Sequence, residues 1–284
     1  MRIIIILIFQ SITIMISCHL MGGLGNQLFE IYTTLSYAIQ HHMKFNFLNV
    51  QKLGNRFTFW DSFFLRLRPF LIHSFSSNMK IYREKDFTYE EIPKTNDCML
   101  YGYFQSYKYF DEHKEKINTM IGIEKMKTTL LKKIGKSQEE LKESISIHFR
   151  LGDYKHIQHC HPILPYMYYK NALKQFSYTQ RNVYYFCEEE DKEHVEHIIQ
   201  QLRKDYTECM FVSVGFELCD WERLIYMSCC NHNIIANSSF SWWGAYLNEH
   251  NDKIVCYPSV WFGQSLVKDL KDLFLSNWIK IDCK

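Results

Sequence analysis

At 284 residues and 34.3 kDa, the chain is long enough for one large domain or two compact ones. Hydrophobic residues make up 47% and charged residues 23%, a globular balance that excludes a disordered chain. A net charge of +2, with no dense Lys/Arg face and no nucleic-acid-binding signature, excludes nucleic acid as a partner.

Met1-Arg2 leads into a mostly apolar run, Ile3 to Ile16, interrupted by Gln10, Ser11 and Thr13. A spanning helix needs about 20 apolar residues, and this run is shorter. It enters a glycine loop at Gly22 almost without a spacer. A first strand within residues 12–20 is therefore expected. The alternative is a signal peptide or membrane anchor within residues 1–18. The ten cysteines contain no C-x-x-C pair, and several, such as Cys187 and Cys256, lie in apolar strand-like runs. These features predict a reduced, cytoplasmic protein that does not require a membrane.

The first strand feeds Met21-Gly22-Gly23-Leu24-Gly25-Asn26-Gln27. A helix follows, with Leu28, Ile31, Leu35, Ala38 and Ile39 on one face. Residues 43–50 alternate as a second strand, and 51–96 are aromatic-rich and irregular. Met99 to Phe104 reads as a strand, Ser106 to Ile121 and Lys125 to Lys142 as helical. Ser144 to Phe149 alternates as a strand that ends in Arg150-Leu151-Gly152-Asp153-Tyr154. A helix is expected over roughly 165–177 and a strand over Asn182 to Cys187. The acidic start Glu188-Glu189-Glu190-Asp191 opens a helix reaching about Leu202. Then come a strand at Met210 to Val214, a helix at Asp220 to Met227 and the strand Ile234-Ile235-Ala236. Asn237 to Gly244 follows, with a helix to about Asn248. The last elements are a strand at Lys253 to Tyr257 and a helix at Leu266 to Leu275. This alternation predicts an α/β fold with parallel sheets, divided into domains 1–142 and 143–284.

Two loops carry the strongest chemistry, and both follow predicted strands, so both should open on one crevice. In Asn237-Ser238-Ser239-Phe240-Ser241-Trp242-Trp243-Gly244, free N–H groups at a helix start combine with hydroxyl donors. That arrangement suits the pyrophosphate of a sugar nucleotide. In the other loop Arg150 offers a planar fork of donors to phosphate oxygens. Asp153 either holds Arg150 or acts as a base. The glycine loop lets backbone approach a ligand closely but lacks the third glycine of the dinucleotide fingerprint. A carboxylate at 188 or 189 could accept two N–H bonds from guanine, or simply serve a helix start. His156 to His161 lacks a second ligand cluster and reads as a polar loop rather than a metal site. No Asp-x-Asp occurs in the chain.

Taken together, these residues resemble glycosyltransferase family eleven, the α-1,2-fucosyltransferases. The segments that carry the resemblance are Gly22 to Phe29, Gly102 to Phe110, His148 to Tyr154, Asn237 to Leu247 and Tyr257 to Phe262, in that order. They span most of the chain, from about Leu20 to Gly263. The resemblance implies a GT-B fold, with two facing Rossmann-like domains of mostly parallel sheets. It also implies inverting transfer of L-fucose from GDP-fucose to the 2-hydroxyl of a galactose-terminated glycan, with no metal and no cofactor besides the donor. By this carry-over Arg150 grips the pyrophosphate, which Ser238, Ser239 and Phe240 cradle beside Asn237. His148 and Glu188 or Glu189 lie near the guanosine. Gly23, Gly25, Asn26 and Gln27 form the substrate loop, with Asn26 facing the transfer site. Asp153 is the candidate base. Two departures stand out: Leu151 replaces a second arginine, and Cys187-Glu188-Glu189 replaces Ser-Asp-Asp. They keep open a different nucleotide-sugar donor, or a non-catalytic glycan-binding relative.

Overall fold

The computed structural model describes residues 15–75, 78–176 and 181–284. The apolar run before Met15 lies outside the described residues. Among those described, no helix is long and apolar enough to cross a membrane. All ten cysteines are free thiols.

Two parallel sheets organise the chain. The first contains β1 (Met15–Cys18), β2 (Lys44–Phe45), β3 (Lys80–Arg83) and β4 (Cys98–Tyr101), in the order β2-β1-β4-β3. The second contains β5 (Ser144–His148), β6 (Arg181–Phe186), β7 (Cys209–Ser213), β8 (His232–Ile234), β9 (Val255–Pro258) and β10 (Ile279–Ile281). Its order is β7-β6-β5-β8-β9-β10, the Rossmann arrangement, and every pairing in it is parallel. β5 is buried along its whole length, as a central parallel strand covered on both faces must be. The strand order reverses between β5 and β8, so their carboxyl ends open the crevice where ligands bind in such sheets.

The helices are α1 (Leu24–Gln40), α2 (Lys114–Ile121), α3 (Ile123–Lys133), α4 (Gln138–Leu141), α5 (Tyr166–Leu173), α6 (Lys192–Asp205), α7 (Asp220–Cys229) and α8 (Ser239–Tyr246). α1 is buried between the first sheet and α8. Phe29 and Tyr32 of α1 meet Trp242 and Trp243 at centroid separations of 4.5–5.1 Å. Both tryptophans are fully buried, so they pack the two halves together and offer no sugar platform. At the far end of α8, Lys114 donates to the Tyr246 carbonyl, and Lys253 to those of Ala245 and Asn248. These lysine donors satisfy the carbonyl end of α8 and leave its positive end facing the cleft.

Four sequence expectations change. Lys125 to Lys142 is not one helix: α3 ends at Lys133, Gly135 takes a left-handed φ of 63°, and α4 begins at Gln138. Residues 43–50 do not form one strand: Lys44–Phe45 joins β1, while Phe47–Leu48 pairs with Leu71–Ile72. β3 arises inside the stretch expected to be irregular; as an edge strand with a largely exposed pattern, it lacks alternation. No helix forms over 266–275. That segment is instead tied to the first half of the chain. Asp272 accepts from the Tyr89 amide and pairs with Lys108, and its carbonyl accepts from Ser106. The carbonyl of Leu273 accepts from Trp242 Nε1. Tertiary bonds have replaced the helical ones.

β8 starts at His232, whose Nδ1 accepts from the Ile254 amide. Burial, then the Arg181 charge, lowers this imidazole to about 4. The unfolded ring takes a proton as pH falls through about 6.5, and the folded ring does not. His232 therefore contributes stability above pH 6.5 that is lost as pH falls towards 4. In urea unfolding, the stability gap between wild type and His232→Gln is expected to narrow over that range and to stay constant above pH 7.

Candidate active site

A cavity of about 660 Å³ lies where the glycine loop after β1 faces the loops after β5, β6 and β8. Its size is in the range of small-molecule sites. Of the residues singled out in the sequence, Gly23, Gly25, Asn26, His148, Arg150, Asp153, Glu188, Asn237, Ser238, Ser239 and Phe240 border it.

Ser238 caps α8: its hydroxyl accepts from the Phe240 amide at 3.3 Å. The hydroxyl of Ser239 donates to Asn26 Oδ1 at 2.8 Å, and Gln105 Nε2 donates to the same oxygen at 2.9 Å. Asn26 thus ties the glycine loop to α8 and to the segment after β4. Gly25 lies against the same helix start: a Cβ built on it would fall 2.5 Å from the Ser239 carbonyl carbon and 2.6 Å from the Phe240 nitrogen. Only glycine allows this approach.

Arg150 leaves β5 with its side chain 18% exposed and lies over the Tyr154 ring, 4.8 Å from its centroid. One guanidinium nitrogen contacts Asp153, and another is 3.9 Å from Glu188. Asp153 also pairs with Arg56 at 3.1 Å, so its two oxygens face two guanidinium groups. The carboxylate is engaged in orienting Arg150 between the two halves of the chain. The loop itself is pinned by buried Asp191, which accepts from the Gly152 amide at 2.7 Å and pairs with Lys155 at 2.5 Å. Burial, then the charges of Arg150 and Arg223, hold the His148 imidazole well below its ordinary value, so the ring is neutral at neutral pH. Burial and the neighbouring Asp220 carboxylate push the Glu188 carboxyl upward.

Some predicted residues take other positions. Gln27 is buried, and its Nε2 donates to the carbonyls of Gly22 and Phe57, so it braces the loop from behind and does not border the cavity. Glu189 points away from the main cavity into an adjoining one, because the chain turns into a 3-10 segment at that residue. Asn237 borders the cavity, but its amide nitrogen donates to the carbonyls of Pro162 and Trp261, holding two loops in place. Among the described residues no group of three or more His, Cys, Asp or Glu side chains is arranged for a metal ion. His161 of the polar loop stacks on Tyr154 at 4.7 Å instead.

Two cleft arginines escape the motif reading. Arg56 comes from a short antiparallel hairpin, Lys52–Leu53 with Arg56–Phe57. Arg223 comes from the first turn of α7, where an arginine on the apolar side of an amphipathic helix is a legible anomaly. The position of the missing arginine is closed: Leu151 is 2% exposed and belongs to the apolar cluster that includes Ile147, Phe149 and Leu164. Leu151→Arg would bury an unpaired charge, and a loss of about 3 kcal/mol or more is expected in denaturant unfolding, with no gain in activity. An unchanged unfolding midpoint would contradict this packing.

Two facing Rossmann-like halves, with a helix start and arginines meeting across a cleft, define the GT-B class of glycosyltransferases. The profile of Glycosyl transferase family 11 matches residues 64–282, and the chain belongs to that family, a fucosyltransferase-like group of enzymes. It is 29% identical to the O-antigen biosynthesis glycosyltransferase WbnK of Escherichia coli over 196 residues, covering 66% of this chain and 61% of that protein. It is 24% identical to an alpha-1,2-colitosyltransferase of Escherichia coli over 295 aligned positions, covering 93% of this chain and 98% of that protein. A mutant of Arabidopsis thaliana FUT1 in complex with GDP aligns with a TM-score of 0.49 at 10% identity, covering 85% of this chain and 70% of that one.

Proposed function

We propose that the protein transfers L-fucose from GDP-fucose to the 2-hydroxyl of a galactose-terminated glycan, with inversion at the fucose C1. The observation that carries this reading is the convergence of Arg150, the α8 N-terminus and the Ser238 hydroxyl on one cavity, in a chain of family 11. The donor lies on residues 143–284, its diphosphate at the start of α8. The acceptor leans on residues 1–142. The acceptor oxygen attacks C1 opposite the nucleotide and gives up its proton to the Asp153 carboxylate, the candidate base, or to solvent water. The bond from C1 to the β-phosphate oxygen breaks, and GDP leaves with the electron pair. Arg150 and the helix start meet the charge that develops on the β-phosphate, so the step uses no metal.

A second reading keeps the site and changes the sugar. It is favoured by the similarity to a colitosyltransferase along 93% of the chain. A turnover screen of GDP-fucose, GDP-mannose and UDP-sugars against galactosides, with linkage analysis of the product, separates the two. Release of GDP with an α-1,2-fucosyl product is the expected result. Turnover confined to a different sugar nucleotide overturns the fucosyl assignment and keeps the class.

A further inference from the structure

We propose that Glu84 is the general base of the transfer: its carboxylate takes the proton of the acceptor hydroxyl as that oxygen bonds to the sugar C1. This replaces Asp153 or water as the proton acceptor in the reaction above and otherwise rests on that reading.

In an inverting step the acceptor oxygen approaches C1 from the side opposite the nucleotide. With the donor on residues 143–284, that side is the wall built by residues 1–142. Glu84 follows the last residue of β3 and borders the cavity from this wall, at the carboxyl end of a parallel strand, where such sheets hold their ligands. Its Oε2 accepts from the Tyr103 amide at 2.8 Å, and the Phe104 amide also donates to the carboxylate. Two residues beyond Tyr103, Gln105 donates to Asn26, which is bonded to Ser239 at the start of α8. At most about 7 Å of chain therefore separates the residue that holds Glu84 from the one that holds Asn26. Gly102 leaves room for the carboxylate: a Cβ there would fall 2.3 Å from the Glu84 Cβ and 2.6 Å from Oε2.

The other carboxylates are less suited. Asp153 and Glu188 face guanidinium groups, whereas no Lys, Arg or His nitrogen among the described residues comes within 4.0 Å of Glu84. Asp86 also borders the cavity, but it is exposed, and its Oδ1 accepts from the next amide. Burial pushes the Glu84 carboxyl above its ordinary value; the Phe104 and Tyr103 amides and the Lys268 charge oppose this, and Asp86 adds to it. Behind Glu84, burial raises the Glu30 carboxyl of α1 as well, and Glu84 adds to that rise. Burial also raises the nearby phenols of Tyr82 and Tyr109, so neither carries charge at neutral pH. A carboxylate with raised proton affinity is the stronger base near neutral pH. In the step, the acceptor O–H bond breaks and its proton passes to a Glu84 oxygen. The freed electron pair bonds to C1 as GDP departs, and the proton then returns to solvent.

Steady-state transfer kinetics across pH, beside calorimetric GDP affinity, tests this in wild type, Glu84→Gln, Asp86→Asn and Asp153→Asn. Glutamine keeps an oxygen for the Tyr103 and Phe104 amides, so a purely structural role predicts nearly unchanged kcat. A base predicts a fall in kcat of about 10²-fold or more, with GDP affinity within about twofold of wild type. Wild-type kcat should rise with pH as Glu84 ionises, above the ordinary glutamate range. That rise should vanish in Glu84→Gln and persist in Asp86→Asn and Asp153→Asn. A Glu84→Gln enzyme with wild-type kcat, or loss of the rise in Asp153→Asn instead, overturns the proposal. If the glutamine variant does not fold, Glu84→Asp decides. Drawing the carboxylate back by one methylene should lower kcat about tenfold or more, and a wild-type rate overturns the proposal. Failure of Glu84 alone leaves wild-type turnover and the transferase reading standing. Wild type that turns over no sugar nucleotide sinks both.

Discussion

Gly25→Ala is expected to lower kcat/KM by about 100-fold, because the added methyl collides with the backbone that starts α8. The overlap involves Ser239 and Phe240 main-chain atoms, which no rotamer change relieves. The helix start must move, and with it the N–H groups assigned to the diphosphate. Overpacking of this kind costs about 1–3 kcal/mol of stability, so the unfolding midpoint should fall as well. A Cβ on Gly23 meets nothing within 4 Å, and Gly23→Ala should therefore do much less. Steady-state kinetics of both variants beside their urea midpoints checks this. A Gly25→Ala enzyme with wild-type kcat/KM would show that the contact between α1 and α8 does not position the donor.

Arg150→Ala is the second large effect. Loss of one preorganised donor to a developing oxyanion lowers kcat by about 10²–10³-fold, about 3–4 kcal/mol. Arg150 also holds Asp153 and approaches Glu188, so its removal leaves both carboxylates less well compensated. Arg150→Lys keeps the charge but loses the planar fork, and should fall between alanine and wild type. Release of GDP from GDP-fucose, with an acceptor present, measures all three. An alanine variant that keeps more than half the wild-type rate would remove Arg150 from the site.

The two strand-to-loop junctions at β5 and β8 were legible because their signals are local. Alternating apolar residues mark β5 and the short apolar run Ile234 to Ala236 marks the end of β8, and Arg150, Gly152, Ser238 and Ser239 follow at once. The remaining features depend on contacts distant in sequence. Asp272 and Lys108 are 164 residues apart, and their pairing is part of what keeps 266–275 out of a helix. Asn26 and Ser239 are 213 apart, so a motif search finds both without revealing that they bond to each other. Gln27 follows Asn26 directly but turns inward, because a helix places consecutive residues on different faces. Arg223 was missed because its place in the cleft depends on the carbonyl end of β6, which no spacing within α7 encodes.

The central claim is that the cleft between the two sheets holds a guanine nucleotide with its diphosphate on α8 and Arg150. Titration calorimetry of GDP into wild type and Arg150→Ala tests it most directly. Saturable one-to-one binding to wild type, weakened at least about tenfold in the variant, is the predicted result. Absence of binding to wild type at millimolar GDP, or equal affinity in the two proteins, would contradict it.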